Sequence, residues 1–229
     1  LLLFSVPCFL FVKDHNTRSA PLFRIKEAFN TLKETFLRAR QYYSLFRFIL
    51  IHFLVLDAVN TIIAFMSVYA SKVIGFSGGQ IMKFLISSTV GAMVGSLIIG
   101  ILVKHKGVIW SYWLVLGAWI ASLFLAAISQ SETLFWIVGP IAGVGMGGVW
   151  VVSRAFIIEL SPPEKVGEFF GLYGMAGKAA SIMGPMLWGG VVWALDTTET
   201  LKYRVAVTVL LGILAVATFL FRDLTQKLQ

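Results

Sequence analysis

The fold class this chain predicts is an all-α membrane protein built as a six-transmembrane-helix bundle. Three observations predict it. Hydrophobic residues make up 58% of the 229 positions, charged residues only 13%, and mean hydropathy is +0.86; soluble domains usually carry about 25% charge. The apolar residues gather in blocks of roughly 18 to 25, the length that crosses about 30 Å of hydrocarbon as a helix. Lysine and arginine collect in the loops of one side. The alternating segments of about ten residues that mark a β-barrel are not seen.

The elements follow in order. Residues 1–12 are apolar but reach only about 18 Å as a helix. No basic segment precedes them and no small-residue cleavage site follows, so a truncated span is a better reading than a signal peptide. Val6-Pro7 before Cys8 does not suit a lipoprotein site. The chain is therefore expected to be a fragment lacking its N-terminal part. Residues 13–43 form the one long connection. Within it Ile25, Phe29, Leu32 and Phe36 recur at helical spacing among Arg24, Lys26, Glu27, Lys33, Glu34, Arg38 and Arg40. That pattern fits a helix lying at the headgroups, or equally a solvated linker helix. Six spans follow, over 44–69, 81–103, 109–128, 134–153, 168–195 and 204–221. Residues 222–229 form a tail.

Orientation comes from basic residues. Fourteen of the nineteen lysines and arginines lie on the side of the long connection, four (Lys72, Lys83, Lys202, Arg204) lie opposite, and Lys178 lies inside a span. This bias places the long connection and the C-terminus in the cytoplasm, which for a bacterial protein means the inner membrane. The net charge of +8 is spread over these loops, so it argues for membrane topology and against a nucleic-acid partner. One cysteine, Cys8, excludes an intramolecular disulfide and a cysteine-cluster metal site. No HExxH, GxSxG, P-loop or pair of carboxylates in one span occurs, and His15 and His105 lack metal-ligand spacing. The expectation is no enzyme, no catalytic residue, no metal and no organic cofactor, with a coupling proton or cation left open.

Asp57 stands near mid-span, with Asn60 and Thr61 three and four residues on, along the same helix face. An ionisable group at that depth marks an ion, proton or substrate site, or a structural carboxylate bonded to a neighbouring helix. Lys178 is the second intramembrane charge. It can line a cavity, pair with Asp57, or extend its stem toward the cytoplasm. His52 is about 140° around the helix from Asp57, which favours a helix contact over a proton relay. Small residues recur at close-packing intervals: Gly91 and Gly95, then Gly139, Gly143 and Gly147, then Gly171, Gly174, Gly177 and Gly184. They are expected to pack helices closely, statically or as sliding faces. The third and sixth spans lack such stripes and are expected to face lipid. Gly139-Pro140 and Gly184-Pro185 place helix breakers in two spans, where a cavity or neighbour must satisfy the freed backbone. Trp110, Trp113 and Trp136 near span ends read as interface anchors.

Two segments and one turn carry a resemblance. The turn Gly100-x3-Lys104-His105-Lys106-Gly107 resembles a degraded form of the glycine–acidic–basic loop of the major facilitator superfamily, with Lys104 where an aspartate is usual. The segment from Asp57 to Tyr69, DAVNTIIAFMSVY, and the stretch Ser153-Arg154, Pro162-Pro163, Glu168 to Tyr173, Gly177-Lys178 and Gly184-Pro185 resemble the vacuole effluxer (autophagy-related) family and its bacterial relatives. In the first, Leu56, Ala58 and Asn60 replace that family's asparagine, glycine and glutamine. The resemblance runs end to end and implies the C-terminal half of a twelve-helix major-facilitator fold. It further implies secondary active transport of a small solute, with amino-acid export associated with fungal members, by rocker-switch alternating access. Asp57, Asn60, Thr61 and Lys178 are then the expected substrate or ion site. Arg154, Glu159, Glu164, Glu168, Lys104 and Lys106 are expected at a cytoplasmic gate, or simply in a solvated turn. The expected partners are the lipid bilayer, a small-molecule substrate and the N-terminal six-helix half. Another solute class (sugar, drug or peptide) and a non-transporting scaffold or receptor remain alternatives.

Overall fold

The computed structural model describes residues 42–195 and 198–228, with the backbone alone for Glu199. The truncated span at 1–12 and the amphipathic connection, apart from its last two residues, lie outside the described residues. Every regular element among the described residues is helical.

Helix α1 (Tyr43–Tyr69) contains neither glycine nor proline, so nothing interrupts its backbone ladder. It runs into a π-helical turn, Ala70–Ile74, which stops at Gly75 in the left-handed conformation (φ 88°). Helix α2 (Gly78–Lys106) starts from a capping box: Ser77 Oγ accepts from the Gln80 amide while Gln80 Oε1 accepts from the Ser77 amide. Gly107 (φ 83°, ψ 169°) is the whole connection to α3 (Val108–Ile128), in a region of backbone space open essentially to glycine alone. The expected basic turn is thus reduced to one residue, and Lys104, His105 and Lys106 are the last turn of α2. Helix α4 (Glu132–Leu160) is capped by Ser131. A 3-10 turn at Pro163–Lys165 leads into α5 (Val166–Ala194), and α6 spans Glu199–Leu228.

Five of the six helices have the length and apolar composition to cross a bilayer. The exception is α5, which has 29 residues but is diluted by glycines and Lys178. Helix α4 runs on past residue 153 and α6 past residue 221. Hydropathy marks the hydrocarbon layer, whereas backbone hydrogen bonding continues through the interfacial zones on either side. Residues 222–228, expected as a tail, are therefore helical.

The glycine stripes of α2 and α4 form one interface. A Cβ on Gly91 would lie 2.6 Å from the Pro140 carbonyl oxygen, and one on Gly95 would lie 2.5 Å from Val144 Cα. On the opposite side, a Cβ on Gly143 or Gly147 would overlap the carbonyl oxygen of Ser88 or Ala92, and one on Gly139 would meet Phe84 and Ser88 at 2.8 Å. These backbones touch because no side chain stands between them. Helix α3, expected against lipid, buries Tyr112, Val115, Leu116, Trp119 and Leu123 against α4 and α6. It is α2 that leaves most of its surface uncovered, including Met82, Leu85, Met93 and Leu97.

Helix α5 lies along α1. Phe169 meets Tyr42 and Phe46 edge-on, Tyr173 stacks on His52 at 5.0 Å, and Trp188 stacks on Phe65 at 5.1 Å. The expectation that all its glycines pack helices needs correction. Gly184 does, and Gly177 touches Leu56, but a Cβ on Gly171 or Gly174 would meet nothing within 4 Å among the described residues. They recur at intervals of three and the packed glycines at intervals of four; both spacings keep to one helix face, so only the structure separates a contact face from an open one.

Two polar ties close the bundle at its ends. Near the start of α1, Arg47 pairs with Asp223 of α6, which Lys227 also approaches at 3.6 Å. At the far end Arg204 donates to the Ser129 carbonyl (2.6 Å), and the Tyr69 hydroxyl donates to the Ala126 carbonyl (2.7 Å). The last carbonyls of α3, which have no partner within the helix, are satisfied there.

Candidate functional site

The segment of α1 that carries Asp57, Asn60 and Thr61 serves two places. Asp57 and Thr61 are buried toward α5, 2% and 0% exposed. The Thr61 hydroxyl donates to the Asp57 carbonyl oxygen one turn back (2.6 Å). Against them lies Gly184. A Cβ there would overlap Thr61 Oγ1 and would lie 2.6 Å from the Asp57 carbonyl and 3.2 Å from Asp57 Oδ1. Asp57 Oδ1 itself has no hydrogen-bond partner among the described residues. Such a carboxyl oxygen is costly to bury when ionised. Beside Gly184, Pro185 sits inside α5 without an amide hydrogen, which leaves the carbonyl of Ser181 without its usual helical donor.

Asn60 points elsewhere. With Leu56, Trp150 of α4, and Tyr173, Gly174, Gly177, Lys178 and Ser181 of α5, it lines a cavity of about 320 Å³. Lys178 stands exposed on this cavity and makes no ion pair among the described residues. The expected residues are thus separated: Asn60 and Lys178 share a cavity, while Asp57 and Thr61 sit in the α1–α5 contact and are not among its lining residues. The expected pairing of Asp57 with Lys178 is not formed. Asp57 Oδ1 is closed off by α5 where glycine and proline occupy the helix, whereas Lys178 lies well before that point on the cavity side.

Tyr173 and Trp150 were not singled out as site residues by sequence. Tyr173 is fixed from behind. Its hydroxyl and Ser153 Oγ are 2.9 Å apart, and its ring stacks on His52, whose Nδ1 is 3.2 Å from the Tyr112 hydroxyl. Ser153 already donates to the Val149 carbonyl (2.6 Å), so the Tyr173 hydroxyl is the donor between the two. The helical spacing of Gly174, Gly177, Lys178 and Ser181 could have revealed one cavity-facing stripe. Trp150 carries no comparable local signal.

A second, apolar cavity of about 190 Å³ lies one turn further along α1 and α4, lined by Ile62, Ile63, Met66, Phe84, Trp119 and Met146 among others. The gate candidates lie toward the ends of α2 and α4, in the turn after α4 and at the start of α5. Arg154, Glu159, Glu164, Lys104 and Lys106 are exposed, while Glu168 is half-buried at the first turn of α5. Lys165 rests over the ring of Tyr42 at 5.3 Å, a contact between the turn before α5 and the start of α1.

Comparison with known proteins supplies the family. The family model described as "Vacuole effluxer Atg22 like" matches residues 1–229. An uncharacterised MFS-type transporter, YxiO of Bacillus subtilis, is 27% identical over 94% of this chain and 50% of its own length. Autophagy-related protein 22 of Kluyveromyces lactis is 26% identical over 76% of this chain and 37% of its own. The Yarrowia lipolytica protein of the same name is 28% identical over 85% of this chain and 34% of its own. The chain spans about half the length of the bacterial relative and about a third of the fungal ones. Six helices without a strand among the described residues agree with one half of a major-facilitator fold. This chain is an integral multi-pass membrane protein belonging to the vacuole effluxer Atg22-like family of transporters.

Proposed function

We propose that the protein is a secondary active transporter that exports a small solute, an amino acid or similar metabolite, by alternating access. The observation that carries this reading is the cavity midway along α1, α4 and α5, where Asn60 and Lys178 stand together beside two aromatic rings. Intramembrane charges that face a cavity mark solute or ion pathways. Family membership supports transport itself.

Asp57 takes the coupling proton in this reading. Its unpartnered oxygen lies in a dry contact between two helices, apart from the solute cavity. A proton bound there relieves the cost of a buried charge, and its release favours parting of α5 from α1. In this reading the Gly184-Pro185 pair, which interrupts the backbone hydrogen bonding of α5, serves as its hinge, and the glycines before it at 171 and 174 face open space. The basic-residue bias supports a cytoplasmic long connection and C-terminus, and in that orientation the exposed charges at 154–164 lie at the cytoplasmic mouth.

Counterflow exchange in liposomes holding the full-length protein tests the reading, with labelled amino acids offered one at a time. Exchange of at least one of them, lost in Lys178→Gln, is the expected result. No exchange of any solute above empty liposomes contradicts it.

A further inference from the structure

We propose that this half of the site grips the carboxylate of its solute through Lys178 and Asn60 and holds no negative charge for an amine. The inference rests on the transport reading only for the cavity's purpose; the chemistry stands on the lining residues.

Among the polar side chains that line the cavity, two hydroxyls are already committed. Ser181 donates to the Lys178 carbonyl at 2.8 Å, and the Tyr173 hydroxyl is held by Ser153 on the far side of its ring. Lys178 and Asn60 make no side-chain hydrogen bond among the described residues. Together they present an ammonium with three donors and an amide with two donors and one acceptor. Among the described residues no aspartate or glutamate lines the cavity. Asp57, the acidic residue nearest in sequence on α1, is sealed behind Gly184 with its backbone carbonyl taken by Thr61.

A site rich in donors, with one fixed positive charge and no carboxylate, discriminates by charge. A carboxylate gains a charge-assisted bond from Lys178 and a second bond from Asn60. A neutral amide of the same shape loses the ionic part. An ammonium meets like charge at Lys178 and finds only neutral acceptors, such as the Asn60 amide oxygen. Trp150 and Tyr173 supply flat apolar walls against which a short aliphatic tail can pack.

The test uses the full-length protein in nanodiscs and three probes of one shape: 4-methylpentanoate, 4-methylpentanamide and 4-methylpentylamine. Binding is read by calorimetry near neutral pH. The carboxylate is expected to bind about tenfold or more tighter than the amide, a gap of about 1.4 kcal/mol, and the amine more weakly than either. Lys178→Gln is expected to bring the carboxylate down to the amide's affinity, and Lys178→Arg to keep most of the preference. Tighter binding of the amine, equal binding of all three, binding of none, or a preference that survives Lys178→Gln overturns the proposal. Binding of the carboxylate by a protein that exchanges no solute keeps the proposal and refutes the transport reading.

Discussion

Asp57 of α1 and Gly184 of α5 meet with no room for a methyl group between their helices. A Cβ on Gly184 would lie 2.6 Å from the Asp57 carbonyl oxygen and would overlap Thr61 Oγ1. The Thr61 hydroxyl and the Asp57 backbone both make the contact, so a rotamer change in Asp57 cannot relieve it. Gly184→Ala is expected to lower the stability of the detergent-solubilised protein by about 1–3 kcal/mol, the usual cost of overpacking. Gly174→Ala, on the same helix but facing open space, is expected to be neutral or slightly stabilising, because alanine is the better helix former. Thermal unfolding of the two variants side by side checks the contrast; equal effects would place Gly184 outside any tight contact.

The α2–α4 interface yields a second contrast. Gly147→Ala is expected to cost at least about 1 kcal/mol, since its Cβ would run into the Ala92 carbonyl. Gly100→Ala, with nothing within 4 Å, is expected to stay within about 0.5 kcal/mol of the parent. Chemical unfolding in mixed micelles measures both.

These contrasts show how far the sequence could be read. The stripes Gly91-x3-Gly95 and Gly139-x3-Gly143-x3-Gly147 were visible as spacing, and they fold into one shared surface. Gly171, Gly174 and Gly177 recur at intervals of three, also along one face, yet only Gly177 meets a neighbour, because periodicity selects a helix face without saying what lies opposite it. Likewise, residues three and four apart share a broad face, so Asp57, Asn60 and Thr61 appeared to be one site. Asn60 reached the cavity and the other two did not, a difference of about 100° around the helix per residue. The link between Arg47 and Asp223 joins residues 176 positions apart, and no local pattern announces it.

The buried hydroxyl pair Ser153–Tyr173 allows a directional prediction. Ser153→Ala strands the Tyr173 hydroxyl in a buried place and is expected to cost about 1–3 kcal/mol. Tyr173→Phe removes the donor but leaves Ser153 its bond to the Val149 carbonyl, so its cost is expected to be smaller. A double-mutant cycle on unfolding free energy, in which the two changes together cost less than their sum, is the expected outcome.

Arg47 and Asp223 join the first and last helices. Asp223 is partly exposed, so the pair is expected to contribute only about 1 kcal/mol or less. Asp223→Ala is expected to lower the melting temperature by a few degrees in low salt and less at high salt. Loss that does not change with salt would point to packing of the arginine stem and away from charge.

The central claim is that Asp57 couples proton movement to solute movement from a place outside the solute cavity. The most direct measurement is flux driven by an imposed pH gradient, in liposomes holding the full-length protein, with the amino acid that exchanges fastest. Asp57→Asn, which keeps the shape of the α1–α5 contact, is expected to lose gradient-driven flux about tenfold or more while retaining gradient-free exchange. Gradient-driven flux that survives Asp57→Asn unchanged would contradict it.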